Sequence, residues 1–102
     1  GIFHSFNGSI ETAHAYYKMG FLISIGPGIL KQGFLKLKAA APMLASNQFL
    51  FESDSPQSFE DDDSDPTLIQ QVISEFSKLQ GKDFHWCIDH AEKNLDLLLG
   101  KV

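Results

Sequence analysis

Cysteine is nearly absent from this chain: Cys87 is the only one in 102 residues. A lone thiol forms no internal disulfide, and without a Cys-x-x-Cys pair there is no thiolate zinc site. The expectation is a protein of the reducing, cytoplasmic compartment. Positive charge is scarce as well. Lys and Arg number 8 against 13 Asp and Glu, for a formal net charge of -5 and a pI of about 5.1. Such a surface does not by itself hold a long nucleic acid, because phosphate binding runs on clustered Lys and Arg. It leaves room for an acidic substrate held through metal ions, which bring positive charge with them. No apolar run reaches the ~20 residues that a membrane-spanning helix needs, so no membrane partner is expected. No basic segment with an apolar core opens the sequence either. There is no initiator Met. Gly1-Ile2-Phe3-His4 lacks a cap or a polar lead-in and reads as a strand entered part-way, so the chain is expected to be a piece of something longer.

What is present suffices for one small domain, residues 1–102. Hydrophobic residues make up 43% and charged residues 21%, and 9 Phe supply ample packing material. Gly1 to His4 is a short apolar run that stops at a polar residue. Ser9 then offers a helix N-cap, with Ile10, Ala13 and Tyr17 at helical spacing behind it and Gly20 at the C-terminal end. Phe21-Leu22-Ile23-Ser24-Ile25 is the pattern of a strand buried on both faces, closed by Gly26-Pro27-Gly28. Leu30, Phe34, Leu37 and Ala41 predict a second helix ended by Pro42. Phe49-Leu50-Phe51 is a third strand, closing on Glu52-Ser53-Asp54-Ser55-Pro56. Gln57 to Asp65 is polar, acidic and aperiodic, a loop. Thr67 opens a helix with Leu68, Val72, Ile73, Phe76 and Leu79, broken by Gly81. A last helix carries Phe84, Ile88, Ala91, Leu95 and Leu98.

The order strand, helix, strand, helix, strand, helix, helix predicts an α/β fold with a parallel sheet and helices on one side. Three such strands close no barrel and leave two apolar edges, a second sign of missing partner structure and of weak stability or self-association. Each strand stops at a small or polar cluster, and the C-terminal strand ends are where folds of this class carry chemistry. Two side chains there have metal-ligand chemistry, His4 and Asp54. On spacing alone, His4 is equally an ordinary hydrogen-bonded residue and Asp54 a turn residue or cap.

Four segments sharpen this reading. Gly1-Ile2-Phe3-His4-Ser5-Phe6-Asn7-Gly8-Ser9, Gly20-Phe21-Leu22-Ile23-Ser24-Ile25-Gly26, Phe49-Leu50-Phe51-Glu52-Ser53-Asp54-Ser55-Pro56 and the C-terminal Asn94 resemble, in order and spacing, motifs of the TatD family of metal-dependent deoxyribonucleases and hydrolases. The resemblance spans essentially the whole chain. It implies the C-terminal segment, strands six to eight, of an eight-stranded parallel α/β (TIM-type) barrel of the amidohydrolase type. The cofactor it implies is one or two divalent cations, magnesium, manganese or zinc. His4 matches the metal ligand ending strand six. Asp54 matches the strand-eight Asp that holds a metal and the attacking water, which makes it the catalytic candidate. Glu52, two residues earlier on the same strand face, is a candidate support for a ligand. Asn7, Gly8 and Ser9 form a turn at a helix N-terminus whose backbone N–H groups suit phosphate oxygens; simple helix capping is the other reading of that turn.

The family's His-x-His, bridging Glu and strand-five His have no counterpart here, and the resemblance places them upstream of Gly1. His14, His85 and His90 read as surface or packing residues. The family's pattern after strand eight is replaced by Glu60-Asp61-Asp62-Asp63-Ser64-Asp65-Pro66, where only Asp65-Pro66 echoes it. Lying over a barrel mouth, those acids would repel a phosphate backbone. The implied partners are DNA or another phosphodiester and the remainder of the barrel. The implied activity is phosphodiester hydrolysis by metal-activated water in the full-length parent, with this fragment inactive alone. The alternatives are a metal-dependent amidohydrolase acting on a small amide or ester, and an inactive remnant or interaction module.

Overall fold

The computed structural model describes residues 1–53 and 66–100. Three short strands, β1 (Ile2–Phe3), β2 (Leu22–Ile25) and β3 (Phe49–Phe51), form a parallel sheet in the order β1-β2-β3. Ile2 and Phe3 pair with Leu22 and Ile23, and Ile23, Ser24 and Ile25 pair with Phe49, Leu50 and Phe51. Four α-helices accompany the sheet: α1 (Ile10–Lys18), α2 (Leu35–Ala40), α3 (Pro66–Gln80) and α4 (Phe84–Leu98). The α/β class and the parallel pairing follow the expectation. Asp54 and the acidic run 60–65 lie outside the described residues.

Local chemistry sets the boundaries. Ser9 is extended (φ -77, ψ 167) and its hydroxyl accepts from the Thr12 N–H at 3.2 Å, satisfying one of the donors that a helix start leaves free. At the other end Gly20 adopts φ +89, a left-handed conformation that lets the chain reverse directly into β2. Asp83 opens α4 in the same manner as Ser9, accepting from the His85 N–H at 3.0 Å.

The second predicted helix is corrected. Leu30 belongs to a 3-10 turn, Pro27–Leu30, and α2 begins only at Leu35. Between them Phe34 is left-handed, φ 58, which breaks any continuous helix. Its ring lies over Gly28, where an added Cβ would come within 2.2 Å of it. The apolar period from Leu30 to Ala41 therefore comes from four separate pieces: the turn, the left-handed Phe34, the short α2 and a second 3-10 turn that Ala41 opens.

The helix-side face of the sheet holds the core. Ile23, Ile25 and Phe49 are buried there with Ala13, Ile29, Leu37, Val72, Phe76 and Cys87. The Phe76 ring centroid lies 4.8 Å from that of Phe49 and 5.2 Å from that of Phe51, both within the range of favourable aromatic pairs. The opposite face is not open, contrary to the expectation of helices on one side. Leu22, Ser24 and Leu50 on that face are buried too. Helix α4 accounts for this by straddling the free edge of β3. Its Cys87 joins the helix-side core, while its Ile88, Ala91 and Leu95 line one cavity with Ser24 and Leu50. Asn94 fixes the straddle. Its Nδ2 donates to the carbonyls of Ser46 and Phe49, both at 2.9 Å. In this parallel register Gln48, Leu50 and Glu52 turn their peptide groups toward β2, so the Phe49 carbonyl sits on the outer edge that would otherwise be unpaired.

Candidate metal centre

Parallel strands bring all their C-terminal ends to one side. His4 follows β1 and Glu52 follows β3, with β2 and the Gly26 that follows it between them. Alternation along the strands places His4 with Ile2, and Glu52 with Leu50, on the face away from α1. They line the mouth of a cavity of about 360 Å³ whose walls are otherwise mainly apolar, with Ser24, Leu50 and Ile88 among them. His4 and Glu52, two of the expected site residues within the described chain, thus reach one end and one face of the sheet.

The two side chains touch. His4 Nδ1 lies 2.9 Å from Glu52 Oε1. The imidazole is 58% exposed and the carboxylate only 14%, so the charged partner is sheltered while the ring is open to solvent. Ser5 closes the other side of the carboxylate: its backbone N–H and its Oγ–H both donate to Glu52 Oε2, each at 3.0 Å. Ser5 reaches this position through a left-handed backbone, φ 50, immediately after the strand. Gly26 leaves the space, since a Cβ there would lie 3.0 Å from Glu52 Oε2 and 3.1 Å from its Cγ. Sequence reasoning singled out His4 and Glu52 but missed Ser5 and Gly26. Neither carries a ligand type, and a left-handed serine has no signature in composition or spacing.

A hydrogen-bonded carboxylate on one ring nitrogen is how proteins orient a histidine that binds metal through the other. The pair thus has the chemistry of one ligand of a divalent cation, His4, with Glu52 as its support. Among the described residues no three His, Cys, Asp or Glu side chains converge as an ion cage. Asp54, the second expected ligand and catalytic candidate, lies outside the described residues.

The turn after β1 is committed to the fold through its side chains. Asn7 Oδ1 accepts from the Leu37 N–H at 3.3 Å, Ser9 caps α1, and Gly8 leaves room for the Phe6 ring, 2.8 Å from where its Cβ would sit. What the turn offers beyond the fold is backbone N–H groups. The remaining histidines are placed as expected. His14 Nδ1 meets the Gln48 amide at 2.8 Å, the exposed His85 follows the Asp83 cap, and His90 packs on Trp86 with ring centroids 4.3 Å apart. Cys87 is fully buried, and burial, with the charge of Asp83 adding to it, pushes its thiol up to about 11. That holds it as a neutral, unreactive thiol.

Known proteins place this arrangement in context. Residues 1–100 match the family described as TatD related DNase. The metal-dependent hydrolase YabD of Bacillus subtilis (strain 168) is 27% identical in an alignment 88 residues long that covers 82% of this chain and 34% of YabD. The crystal structure of a hydrolase TatD family protein from Entamoeba histolytica superposes on 100% of this chain and 42% of that one, with a TM-score of 0.76 at 12% identity. The chain therefore spans less than half the length of these relatives. No helix among the described residues is long and apolar enough to cross a membrane. With the family model covering nearly every residue, the chain belongs to the TatD related DNase family.

Proposed function

We propose that this chain supplies strands six to eight of a TatD-type barrel and, with them, part of the mouth of a divalent-metal-dependent deoxyribonuclease. The observation that carries the reading is the 2.9 Å contact between Glu52 and the exposed ring of His4 at the strand ends. In this reading His4 would hold the cation through Nε2, with Glu52 orienting the ring through Nδ1. Asp54 holds the cation, orients the attacking water and accepts its proton. When bound, magnesium, manganese or zinc supplies a Lewis acid that activates water and neutralises charge on a phosphodiester. The backbone N–H groups of Asn7, Gly8 and Ser9, at the positive end of α1, receive phosphate oxygens. The partners are DNA or another phosphodiester and an upstream barrel segment that contributes the remaining ligands. Two ligands from this chain alone would hold an ion weakly and exclude little water, so hydrolysis belongs to the longer protein.

The test is a longer protein carrying the upstream segment, assayed for bound divalent metal and for cleavage of single-stranded DNA beside RNA and small amides. Stoichiometric metal and cleavage of DNA, both lost or severely reduced in Asp54→Ala, are expected. Metal-free protein, or DNA cleavage indifferent to Asp54→Ala, would sink the reading. Turnover of an amide in place of DNA would keep the metal centre and replace the substrate.

A further inference from the structure

We infer that Ser5 is a positioning residue: by gripping one oxygen of Glu52 it presents the other to His4 and keeps the His4 ring protonated on Nδ1, with the Nε2 lone pair free. Its use for a cation rests on the reading of His4 as a ligand; its geometry does not.

The argument starts from donors and acceptors. A carboxylate only accepts hydrogen bonds. Glu52 Oε1 against His4 Nδ1 at 2.9 Å therefore assigns the ring proton to Nδ1. A carboxylate held at one point swivels about its own axis. Here Oε2 is held by two donors of one residue, the Ser5 N–H and Oγ–H, each at 3.0 Å, and a swivel would break both. Both donors reach the same oxygen because Ser5 is left-handed, φ 50, so its N–H and side chain fold back toward β3 while the next N–H, of Phe6, bonds the Ser24 carbonyl at 3.0 Å. The strand ends of β1, β2 and β3 are thereby tied together around one carboxylate. A free imidazole prefers the proton on Nε2, the nitrogen that a cation needs bare. Ser5 acts on that preference only through Glu52.

This arrangement makes an isosteric replacement informative. In Glu52→Gln the two Ser5 donors claim the amide oxygen, so the amide NH₂ turns toward His4. Nδ1 then becomes the acceptor and the ring proton moves to Nε2. Removing the serine hydroxyl releases this constraint: in Ser5→Ala with Glu52→Gln, the amide turns around in part and Nδ1–H returns in part.

The experiment is long-range ¹H–¹⁵N correlation of the ¹⁵N-labelled chain with neutral histidines, His4 being identified from the signals lost in His4→Gln. The expected pattern is Nδ1–H in the starting chain, Nε2–H in Glu52→Gln, and a mixture in the double variant and in Ser5→Ala. Zinc added to the same samples should shift His4 Nε2 in the starting chain, with about tenfold weaker response in Ser5→Ala. Nε2–H in the starting chain, or Nδ1–H persisting in Glu52→Gln, would overturn the inference. Should Ser5→Ala lose the dispersed amide spectrum of the folded chain, Ser5→Gly tests the same hydroxyl, since glycine adopts φ 50 freely. Zinc that never reaches His4 while the tautomer pattern holds would support the positioning role and remove the metal reading.

Discussion

His4 and Glu52 stand 48 residues apart in sequence and 2.9 Å apart in space, an exposed imidazole against a sheltered carboxylate. Backbone geometry brings them together, and the Ser5 N–H and hydroxyl hold the carboxylate in place. Two parallel crossovers bring both strand ends to one side, and β2 ends between them at Ile25, followed by Gly26, a residue with no side chain.

Gly26 is accordingly the most sensitive small residue near the centre. Its φ of -115 and ψ of -170 suit any residue, so Gly26→Ala carries no backbone strain. The new Cβ meets Glu52 Oε2 at 3.0 Å and Cγ at 3.1 Å and pushes the carboxylate away from His4. The expected result is a loss of zinc response at His4 of about tenfold, with stability changed by under about 1 kcal/mol. Metal titration and urea unfolding of the same variant check both halves. Large destabilisation with the zinc response intact would contradict the steric account.

Asn94 should behave in the opposite way, as a stability residue with no part in the centre. Its amide is buried and satisfies two carbonyls, of Ser46 and Phe49. Asn94→Ala leaves both without that donor and frees the outer edge of β3, at a cost of about 1–3 kcal/mol. Asn94→Asp costs more, because a carboxylate faces two carbonyl oxygens with no proton to donate. Urea unfolding midpoints should therefore rank the native chain first, Ala second and Asp last.

Cys87 yields a pH prediction with a definite sign. Its thiol is raised in the folded chain from its ordinary value of 9.0 to about 11, chiefly by burial. The folded state thus keeps this proton where the unfolded state releases it. The contribution is fully present below pH 9 and shrinks as pH rises from 9 toward 11, by at most about 1.4 kcal/mol per pH unit. Cys87→Ala should flatten that part of the stability profile, while costing cavity energy at every pH. Thiol reagents at pH 8 should label Cys87 only at the rate of unfolding.

The sequence was legible where one physical cause produces one pattern. Phe21 to Ile25 and Phe49 to Phe51 announced strands because burial on both faces requires unbroken apolar runs, and Leu22, Ile23, Ser24 and Ile25 are all buried. Ser9 announced α1 because an N-cap needs a short acceptor side chain. Leu30 to Ala41 misled because a 3-10 turn, the left-handed Phe34, α2 and a second 3-10 turn from Ala41 happen to space their apolar side chains as one helix would. His4 was legible through the resemblance and Glu52 through strand alternation. Ser5 was not, because its role depends on φ 50 and on a carboxylate 47 residues away.

The turn Asn7-Gly8-Ser9 separates capping from phosphate contact through one substitution. Ser9 Oγ accepts from the Thr12 N–H at 3.2 Å, and Asp caps helices about as well as Ser. A negative charge at the N-terminus of α1 also suits the helix dipole. Ser9→Asp should therefore leave stability within about 0.5 kcal/mol of the native chain, whereas Ser9→Ala should lose about 1 kcal/mol. In the longer protein the same added charge would oppose a phosphate held by the neighbouring backbone N–H groups. Screened by solvent at this half-buried position, that repulsion amounts to about 1 kcal/mol, roughly fivefold. The expected signature is a fivefold higher KM for DNA in Ser9→Asp with kcat unchanged, diminishing as salt is raised. Ser9→Ala, which removes the cap but adds no charge, should leave KM alone. An unaltered KM in Ser9→Asp, with stability preserved, would assign the turn to helix capping alone and leave substrate binding to the strand ends and the rest of the barrel.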